Sequence, residues 1–239
     1  MGLLKGTEFY ISKLAGRAIM DYKMLSDGDK VCVAVSGGKD SLSLLRILND
    51  RRSFIPIKYG LLAVHIDFGY PRSYVKRLEA TFKRMKVKYR IKRVNVLKKT
   101  DPKDINCFWC SWNRRREIFQ IADYNKCTKV ALGHHKDDIV QTILMNIFFH
   151  GEIAAMSPKQ ELFNGKIKII RPFAYVEEAM IKRFAKEEKF LQLSCNCPHA
   201  LTSKRRTVEN IIKDLKRICP EIKTNIFKSV KRVRSDYLL

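Results

Sequence analysis

Two groups of residues in this 239-residue chain have the types and spacing that chemistry requires, a glycine-rich run and a set of paired cysteines. The glycine-rich run, Ser-Gly-Gly-Lys-Asp-Ser at residues 36–41, follows an apolar, β-branched segment at 31–35. Glycines in a strand-to-helix turn let backbone N–H groups approach an anion, and the helix N-terminus adds partial positive charge. The run lacks the spacing and the Gly-Lys-Ser/Thr ending of a Walker A loop. It therefore predicts an ATP phosphate site of another kind.

The paired cysteines are the second group. Cys107 and Cys110 form a Cys-x-x-Cys motif at the start of a predicted helix, and Cys195-Asn196-Cys197 forms another tight cluster. The run Arg114-Arg115-Arg116 follows the first cluster and favours thiolates. An odd total of seven cysteines, in a chain that looks intracellular, favours metal or redox chemistry over disulfides. From spacing alone, an iron–sulfur cluster and a zinc site that includes His199 are equally open.

The elements that must position these groups alternate between strand and helix, which predicts a parallel sheet. Strands are expected at 31–35, 58–68, 89–96, 129–132 and 191–193, with a hairpin of 160–163 and 167–170 around Asn164-Gly165. Helices are expected at 8–24, 73–86 and 176–188, after residues 41, 110 and 138, and in the C-terminal part. The predicted fold class is α/β, a doubly wound, mostly parallel sheet with a basic helical C-terminal extension. Cys32, Cys127 and Cys219 are expected to be buried packing residues.

Ligands of a doubly wound sheet bind beyond the carboxyl ends of its strands. Backbone groups from Ala63 to His65 are therefore candidates to meet the adenine, and Asp67 is a candidate for a ribose, metal or substrate contact or a plain loop carboxylate. Residues 133–138, Gly-His-His-Lys-Asp-Asp, follow another strand and are expected beside the ATP. Within them, Asp137 is expected to be a base or positioning group and Asp138 a helix cap.

The charge of the chain indicates a polyanionic partner. Forty-eight Lys and Arg stand against 24 Asp and Glu, a formal net charge of +24, which favours nucleic acid. The basic terminal helix is the best candidate surface, and the predicted contacts are Arg114, Arg115, Lys204, Arg205, Arg206 and Lys213. The chain has no apolar run of membrane-spanning length and no signal-peptide core, so we expect a cytoplasmic protein without a membrane partner.

These motifs, together with Arg171-Pro172-Phe173 and the segment 131–142, occur in the same order as in a known family. The chain resembles the tRNA 2-thiocytidine synthetases, which are PP-loop ATP pyrophosphatases, from its N-terminal helix almost to its C-terminus. The resemblance implies an adenine nucleotide alpha hydrolase-like fold. The expected organisation is an N-terminal helix at 1–27, a PP-loop domain carrying the cysteines at 28–200 and a basic helical extension at 201–239.

The resemblance also implies a reaction. Family members adenylate a pyrimidine C2 carbonyl in tRNA with ATP and Mg²⁺, and replace the oxygen with sulfur by means of a [4Fe–4S] cluster on three cysteines. By motif those ligands are Cys107, Cys110 and Cys197, with Cys195 as the alternative, because this chain has Cys-Asn-Cys where the family has Cys-Asn-x-Cys. The implied catalytic residues are Asp137 and Lys39. The implied ATP contacts are Ser36, Gly37, Gly38, Lys39, Asp40, Ser41, Ala63, His65 and Gly133.

The resemblance also implies binding partners, and the sequence leaves alternative functions open. The partners are tRNA and a sulfur donor such as a cysteine desulfurase or sulfide, and a homodimer stays open. A 2-thiouridine synthetase is the alternative within the class, since residues 65–70, His-Ile-Asp-Phe-Gly-Tyr, depart from the family's Asn-Leu-Asp start. A lysidine or amidating enzyme would not need paired cysteines. A catalytically inactive iron–sulfur or zinc RNA-binding protein would not need the phosphate loop.

Overall fold

The computed structural model describes residues 6–94, 107–190 and 204–237, and of residues 107, 108 and 110 it describes only the backbone. Strands and helices alternate along these residues. The helices are α1 (Gly6–Asp21), α2 (Lys39–Arg51), α3 (Arg72–Arg84), α4 (Cys107–Tyr124), α5 (Lys136–His150), α6 (Glu178–Glu187), α7 (Lys204–Ile218) and α8 (Ile222–Ser229). The strands are β1 (Lys30–Ala34), β2 (Gly60–Asp67), β3 (Lys88–Arg93), β4 (Lys129–Ala131), β5 (Lys159–Leu162) and β6 (Ile167–Ile170).

The six strands form one sheet in the order β3-β2-β1-β4-β6-β5. All neighbours are parallel except β5, which pairs with β6 as an antiparallel hairpin. The chain runs outward from β1 through β2 to β3 and then returns to place β4 on the other side of β1. This reversal opens a crevice beyond the carboxyl ends of β1 and β4, where doubly wound folds bind ligands. The predicted fold class is confirmed.

The central strand β1 is apolar throughout because helices cover both faces of the sheet. Val31 and Val33 pack on one face with side chains of α1, α2, α3 and α6. Cys32 and Ala34 pack on the other face with Ile118 of α4. The alternation along the strand thus assigns α4 and the phosphate-loop helix α2 to opposite faces, so that the end of β1 lies between them.

The C-terminal helices α7 and α8 pack on the rest of the protein. Val208 and Ile212 of α7 share a buried cluster with Val140 and Leu144 of α5. From α8, the ring of Phe227 packs edge-on against Tyr175, at 5.7 Å between ring centroids. The predicted basic extension therefore forms part of the surroundings of α5.

Several boundaries differ from the sequence expectation for local reasons. A 3₁₀ helix at Pro172–Tyr175 precedes α6, so that helix begins later than predicted. The terminal helix is divided in two by Pro220, which cannot continue a helix. Cys32 and Cys127 are buried as predicted, but Cys219, at this division, is only partly buried. The strand expected at 191–193 lies outside the described residues. Among the helices that the structure describes, none has the length and apolar character needed to span a membrane.

Candidate active site

A cavity of about 440 Å³ lies beyond the carboxyl ends of β1 and β4. Its walls come from the ends of β1 and β2, the loop into α2, the loop between β4 and α5, and helices α4, α6 and α7. Segments that are distant in the sequence thus converge where the topology predicts a ligand.

The phosphate loop is built so that backbone N–H groups remain available. Gly37 has φ +91°, a conformation that a side chain would strain. Gly38 is the N-cap of α2 and supplies no side-chain cap. The hydroxyl of Ser41 donates to the Gly38 carbonyl at 3.0 Å, and its oxygen lies 3.1 Å from that of Ser36, which holds the turn closed. The uncapped first turn of α2 is therefore a ready anion site.

Gly133 brings the β4–α5 loop against the phosphate loop. A Cβ at Gly133 would lie 3.0 Å from the Asp40 carbonyl carbon and 3.1 Å from the Ser41 nitrogen, which is tighter than most Cβ contacts. The two backbones are therefore in close contact, and a side chain at this position would require one of them to shift by a few tenths of an ångström. The sequence predicted Gly133 as an ATP contact; the structure gives it a packing role at the cavity wall.

Lys39 is held between two carboxylates. Its ammonium group lies 3.1 Å from Asp40 Oδ2 and 3.0 Å from Glu178 Oε1. Burial lowers the pKa of Lys39, but the two carboxylates outweigh that effect and raise it. Burial likewise raises the pKa of Glu178, but hydrogen bonds from Lys182 and Lys39 outweigh it and lower the pKa to about 2. Both groups are charged, so Lys39 can exchange Glu178 for a phosphate.

Sequence reasoning missed Glu178 as a cavity residue. The side chain stands in the first turn of α6, five residues after the end of the Arg-Pro-Phe motif that carried part of the family resemblance. An acidic residue at a helix start is commonly interpreted as favourable for the helix dipole. Only the position of α6 beside α2 reveals that its partner is Lys39.

Asp137 and Asp138 are adjacent in sequence but face different surroundings, because successive residues on an α-helix point about 100° apart. Asp138 lines the cavity, accepts from the His135 N–H at 3.0 Å as a cap, and accepts from Arg205 at 2.8 Å. Asp137 does not line the cavity. Its carboxylate accepts from the Glu178 N–H at 2.8 Å and from the Lys223 ammonium group.

Of the two roles expected for Asp137, base or positioning group, this geometry favours the positioning role. Burial raises the pKa of Asp137, but hydrogen bonds from Lys223 and the Glu178 backbone outweigh it and lower the pKa. A carboxylate with a lowered pKa and two occupied oxygens is a weak proton acceptor. Asp137 is thus a positioning residue that fixes α6 and α8, while the predicted capping role of Asp138 agrees with its contact to His135.

His134, which follows Gly133, lines the cavity in its neutral form. Burial lowers its pKa to about 4; nearby Asp138 opposes the shift and Arg171 and Arg115 add to it. Its buried Nδ1 atom has no hydrogen-bond partner among the described residues. A neutral imidazole can therefore accept from or donate to a ligand here.

Ala63 and His65 do not line the cavity. Ala63 is fully buried within β2, and the Nδ1 atom of His65 hydrogen-bonds the Val35 carbonyl at 2.8 Å. Side chains alternate along a strand, so Ile66 reaches the cavity from the face that α4 covers. The adenine contacts expected from the backbone at Ala63–His65 therefore stay a prediction, and Ile66 is the residue of this strand that lines the cavity.

The six predicted tRNA contacts fall into three groups. Arg114 and Arg115 line the cavity, and Arg114 also lies 5.1 Å from the centre of the Phe68 ring. Arg205 donates to Gln141 and to Asp138 of α5, both at 2.8 Å, and also lines the active-site cavity. The remaining contacts lie elsewhere: Lys204 lies over Phe149, and Arg206 and Lys213 line a neighbouring cavity.

The first cysteine pair stands at the start of a helix whose next turn lines the cavity. Cys107 begins α4, Cys110 is in its first turn, and the cavity residues Ser111 and Arg114 follow them at four-residue intervals. Both members of the pair Cys195-Asn196-Cys197 lie outside the described residues. Among side chains that the structure does describe, no group of three or more His, Cys, Asp or Glu could hold a metal ion.

Comparison with known proteins agrees with this geometry. Residues 12–196 match the PP-loop domain family. The tRNA-cytidine(32) 2-sulfurtransferase of Geobacter sulfurreducens is 36% identical over 235 residues, which cover 96% of this chain and 91% of the relative. The enzyme of the same name from Pseudomonas fluorescens is 36% identical over 228 residues, covering 93% and 83% of the two chains.

Solved structures show the same fold. The U34-tRNA thiolase NcsA from Methanococcus maripaludis, solved with its [4Fe–4S] cluster, superposes with a TM-score of 0.75 at 23% identity, over 95% of this chain and 79% of that one. The NH₃-dependent NAD synthetase from Campylobacter jejuni gives a TM-score of 0.52 at 11% identity, over 97% and 90%. The family resemblance inferred from the motifs is confirmed: this chain belongs to the PP-loop family and, within it, to the tRNA-cytidine(32) 2-sulfurtransferases.

Proposed function

We propose that this protein is an ATP-dependent tRNA sulfurtransferase that converts the C2 carbonyl of a cytidine, at position 32, to a thiocarbonyl. The observation that carries the proposal is the cavity in which the phosphate loop, the Gly-His-His-Lys-Asp-Asp segment and the helix of Cys107 and Cys110 meet. Full-length relatives at 36% identity carry the name of this activity.

Activation by ATP is the first step. The C2 oxygen attacks the α-phosphorus, a C2–O–AMP bond forms, and pyrophosphate leaves. The free N–H groups of the α2 start and Lys39 stabilise the charge on that leaving group, since preorganised donors cost no reorganisation during the reaction. Glu178 holds the Lys39 ammonium group in position until phosphate replaces it. The remaining contacts proposed from the sequence in this loop are Ser36, Gly37, Gly38, Asp40 and Ser41.

Asp40 is the residue best suited to a magnesium ion. Its Oδ1 atom is buried and has no hydrogen-bond partner among the described residues, while the other oxygen binds Lys39. A carboxylate oxygen of this kind suits Mg²⁺, which favours one or two carboxylates together with phosphate oxygens. We therefore propose that Asp40 binds the Mg²⁺ that accompanies ATP.

Replacement by sulfur is the second step. A sulfide-level sulfur attacks C2, AMP leaves with the former carbonyl oxygen, and loss of a proton gives the thiocarbonyl. Cys107, Cys110 and Cys197, with Cys195 as the alternative, would hold a [4Fe–4S] cluster, because cysteine thiolates are the ligands that such a cluster requires and the arginines that follow Cys110 in the sequence favour thiolates. When bound, a cluster with three protein ligands supplies an iron position at which sulfide can be held.

The residues around the activated base complete the proposal. Arg114 and Arg115 contact the incoming tRNA at the α4 wall, and the neutral His134 is available to hydrogen-bond the base. A cysteine desulfurase or free sulfide is the sulfur donor. The substrate makes a cytoplasmic location the natural one, and we propose no membrane partner.

The test is mass spectrometry of tRNA nucleosides from cells with and without the gene. We expect 2-thiocytidine to disappear on deletion, to return with the wild-type gene and with Lys182→Ala, and to stay absent with Lys39→Met. Loss of 2-thiouridine instead would favour the alternative base. If no thiolated nucleoside changes, the sulfur-transfer proposal is wrong.

A further inference from the structure

A second cavity lies beside the active-site cavity, between helices α5, α6, α7 and α8. Its volume is about 360 Å³. Four cationic side chains line it, Arg206, Lys213, Lys216 and Lys223. The ATP chemistry proposed above uses none of them.

Charge in this second cavity is not balanced locally. Lys223 forms an ion pair with Asp137. Glu178 forms ion pairs with Lys39 and Lys182, neither of which lines the second cavity. The cavity also contains Arg206 and the carboxylate of Glu209, and it retains the two cations Lys213 and Lys216. Lys213 and Lys216 are exposed, and neither takes part in an ion pair within the described residues. These two lysines are therefore available to an anion from outside the chain.

The cations form a row along α7. At 1.5 Å per residue, Lys213 and Lys216 lie about 10 and 15 Å along the axis from Arg206. A row of this length exceeds a single phosphate group and matches a strand that carries one negative charge per nucleotide. An RNA backbone is therefore a better occupant than a small free anion.

The two cavities share a wall. Gln141 of α5, Glu178 of α6 and Glu209 of α7 line both of them. A strand whose phosphates occupy the second cavity would thus have a neighbouring nucleotide at the entrance of the first. The other predicted contacts on α7 are already engaged, since Arg205 binds Asp138 and Gln141 and Lys204 lies over Phe149.

We propose that the second cavity binds backbone phosphates of the RNA strand whose target nucleotide enters the active-site cavity. Lys213 and Lys216 are its principal contacts, and Arg206 marks the end nearest the active site. The proposal rests on the proposed function for the identity of the polyanion. It goes beyond that function by assigning the phosphate contacts to one face of α7, Lys216 included.

The test is equilibrium binding of an unmodified tRNA transcript, with cytidine at position 32, to the full chain without ATP. We compare wild type, Lys213→Ala/Lys216→Ala and a matched control, Arg217→Ala/Lys228→Ala, which removes two exposed charges that do not line the cavity. Thermal unfolding of each variant checks that it is folded. Loss of two phosphate contacts should weaken tRNA binding about tenfold or more and lower the salt slope by roughly 2, whereas the control should change affinity less than threefold.

Two results would overturn the proposal. One is equal weakening by the two double variants, which would mean that general charge alone attracts tRNA. The other is wild-type affinity in Lys213→Ala/Lys216→Ala. Because binding is measured without ATP and without chemistry, failure of the sulfur-transfer proposal would leave this result readable.

Discussion

The two neighbouring cavities differ in how their charges are arranged. In the active-site cavity Lys39 is paired with Glu178 and Arg205 with Asp138. In the second cavity Lys213 and Lys216 have none within the described part of the chain. Paired charges hold side chains in position for a small ligand that must be oriented, while unpaired surface lysines suit a polyanion whose binding is governed by counterion release.

The buried contact of Asp137 beside the second cavity gives the largest expected effect. Asp137 is buried between Lys223 and the Glu178 N–H, so Asp137→Ala leaves that backbone donor without a partner and leaves Lys223 with only the longer 3.9 Å contact to Glu177. We expect a loss of about 3–5 kcal/mol in the free energy of unfolding, measured with urea. Asp214→Ala, which breaks an exposed pair with Arg217, should cost less than about 1 kcal/mol. Equal losses would show that Asp137 is not an anchor.

Lys39→Met should impair the reaction in the active-site cavity and leave RNA binding at the second cavity unchanged. Removal of the ammonium group that stabilises the leaving pyrophosphate should lower tRNA-dependent AMP formation by about 10²–10³-fold. tRNA affinity measured without ATP should stay within about twofold, because Lys39 does not line the second cavity. The rate of AMP formation is measured by thin-layer chromatography, and tRNA affinity is measured by a binding titration. A parallel loss of tRNA affinity would contradict the division into two sites.

Gly133→Ala tests the close contact behind the phosphate loop. The added methyl group meets the backbone of Asp40 and Ser41, and the strain should weaken ATP binding by about tenfold, within the 1–3 kcal/mol typical of overpacking. Gly60→Ala is the matched control, since its Cβ would lie 3.7 Å from Lys30 Cγ, an ordinary contact. Isothermal titration calorimetry measures the ATP affinity of both variants. Unchanged affinity in Gly133→Ala would mean that the loops can separate at little cost.

The pH dependence of stability tests the pairing of Glu178. Its pKa of about 2 in the folded protein is below the ordinary 4.5, so the pairing stabilises the fold above about pH 4.5 and is lost as pH falls toward 2. With allowance for partial exposure, the contribution is about 1–2 kcal/mol. The difference in unfolding free energy between wild type and Glu178→Gln should therefore shrink between pH 7 and pH 3. A difference that stays constant would mean that Glu178 is not held by charge.

The sequence predicted those parts of the site whose conformation and chemistry depend on a few consecutive residues. Residues 36–41 carry their own turn, helix start and anion-binding chemistry, and the structure places that loop at the cavity wall. The mostly parallel sheet was predictable for the same reason, because most strands are followed by a recognisable helix or turn, whereas the order of the strands comes from the structure. Gly133 was accessible through its motif, although its packing against Asp40 was not.

The parts that sequence did not predict depend on which helices meet in space. Glu178 is distant from Lys39 in the chain, and only the packing of α6 beside α2 joins them. The capping role of Asp138 was predicted, but the choice between base and positioning group for Asp137 depends on its contacts with Lys223 and the Glu178 N–H, which only the packing of α6 and α8 supplies. Ala63 and His65 were assigned from strand position alone, without knowing which face of β2 the cavity meets.

At Gly133 the backbone that leads into α5 lies in close contact with the backbone of the phosphate loop. We expect the two segments to move together, and Asp138 connects them to Arg205 in the first turn of α7. A displacement of the loop by nucleotide is thus carried to the helix that bears Lys213 and Lys216. Nucleotide affinity and RNA affinity are then coupled, and the coupling must be of equal size in both directions.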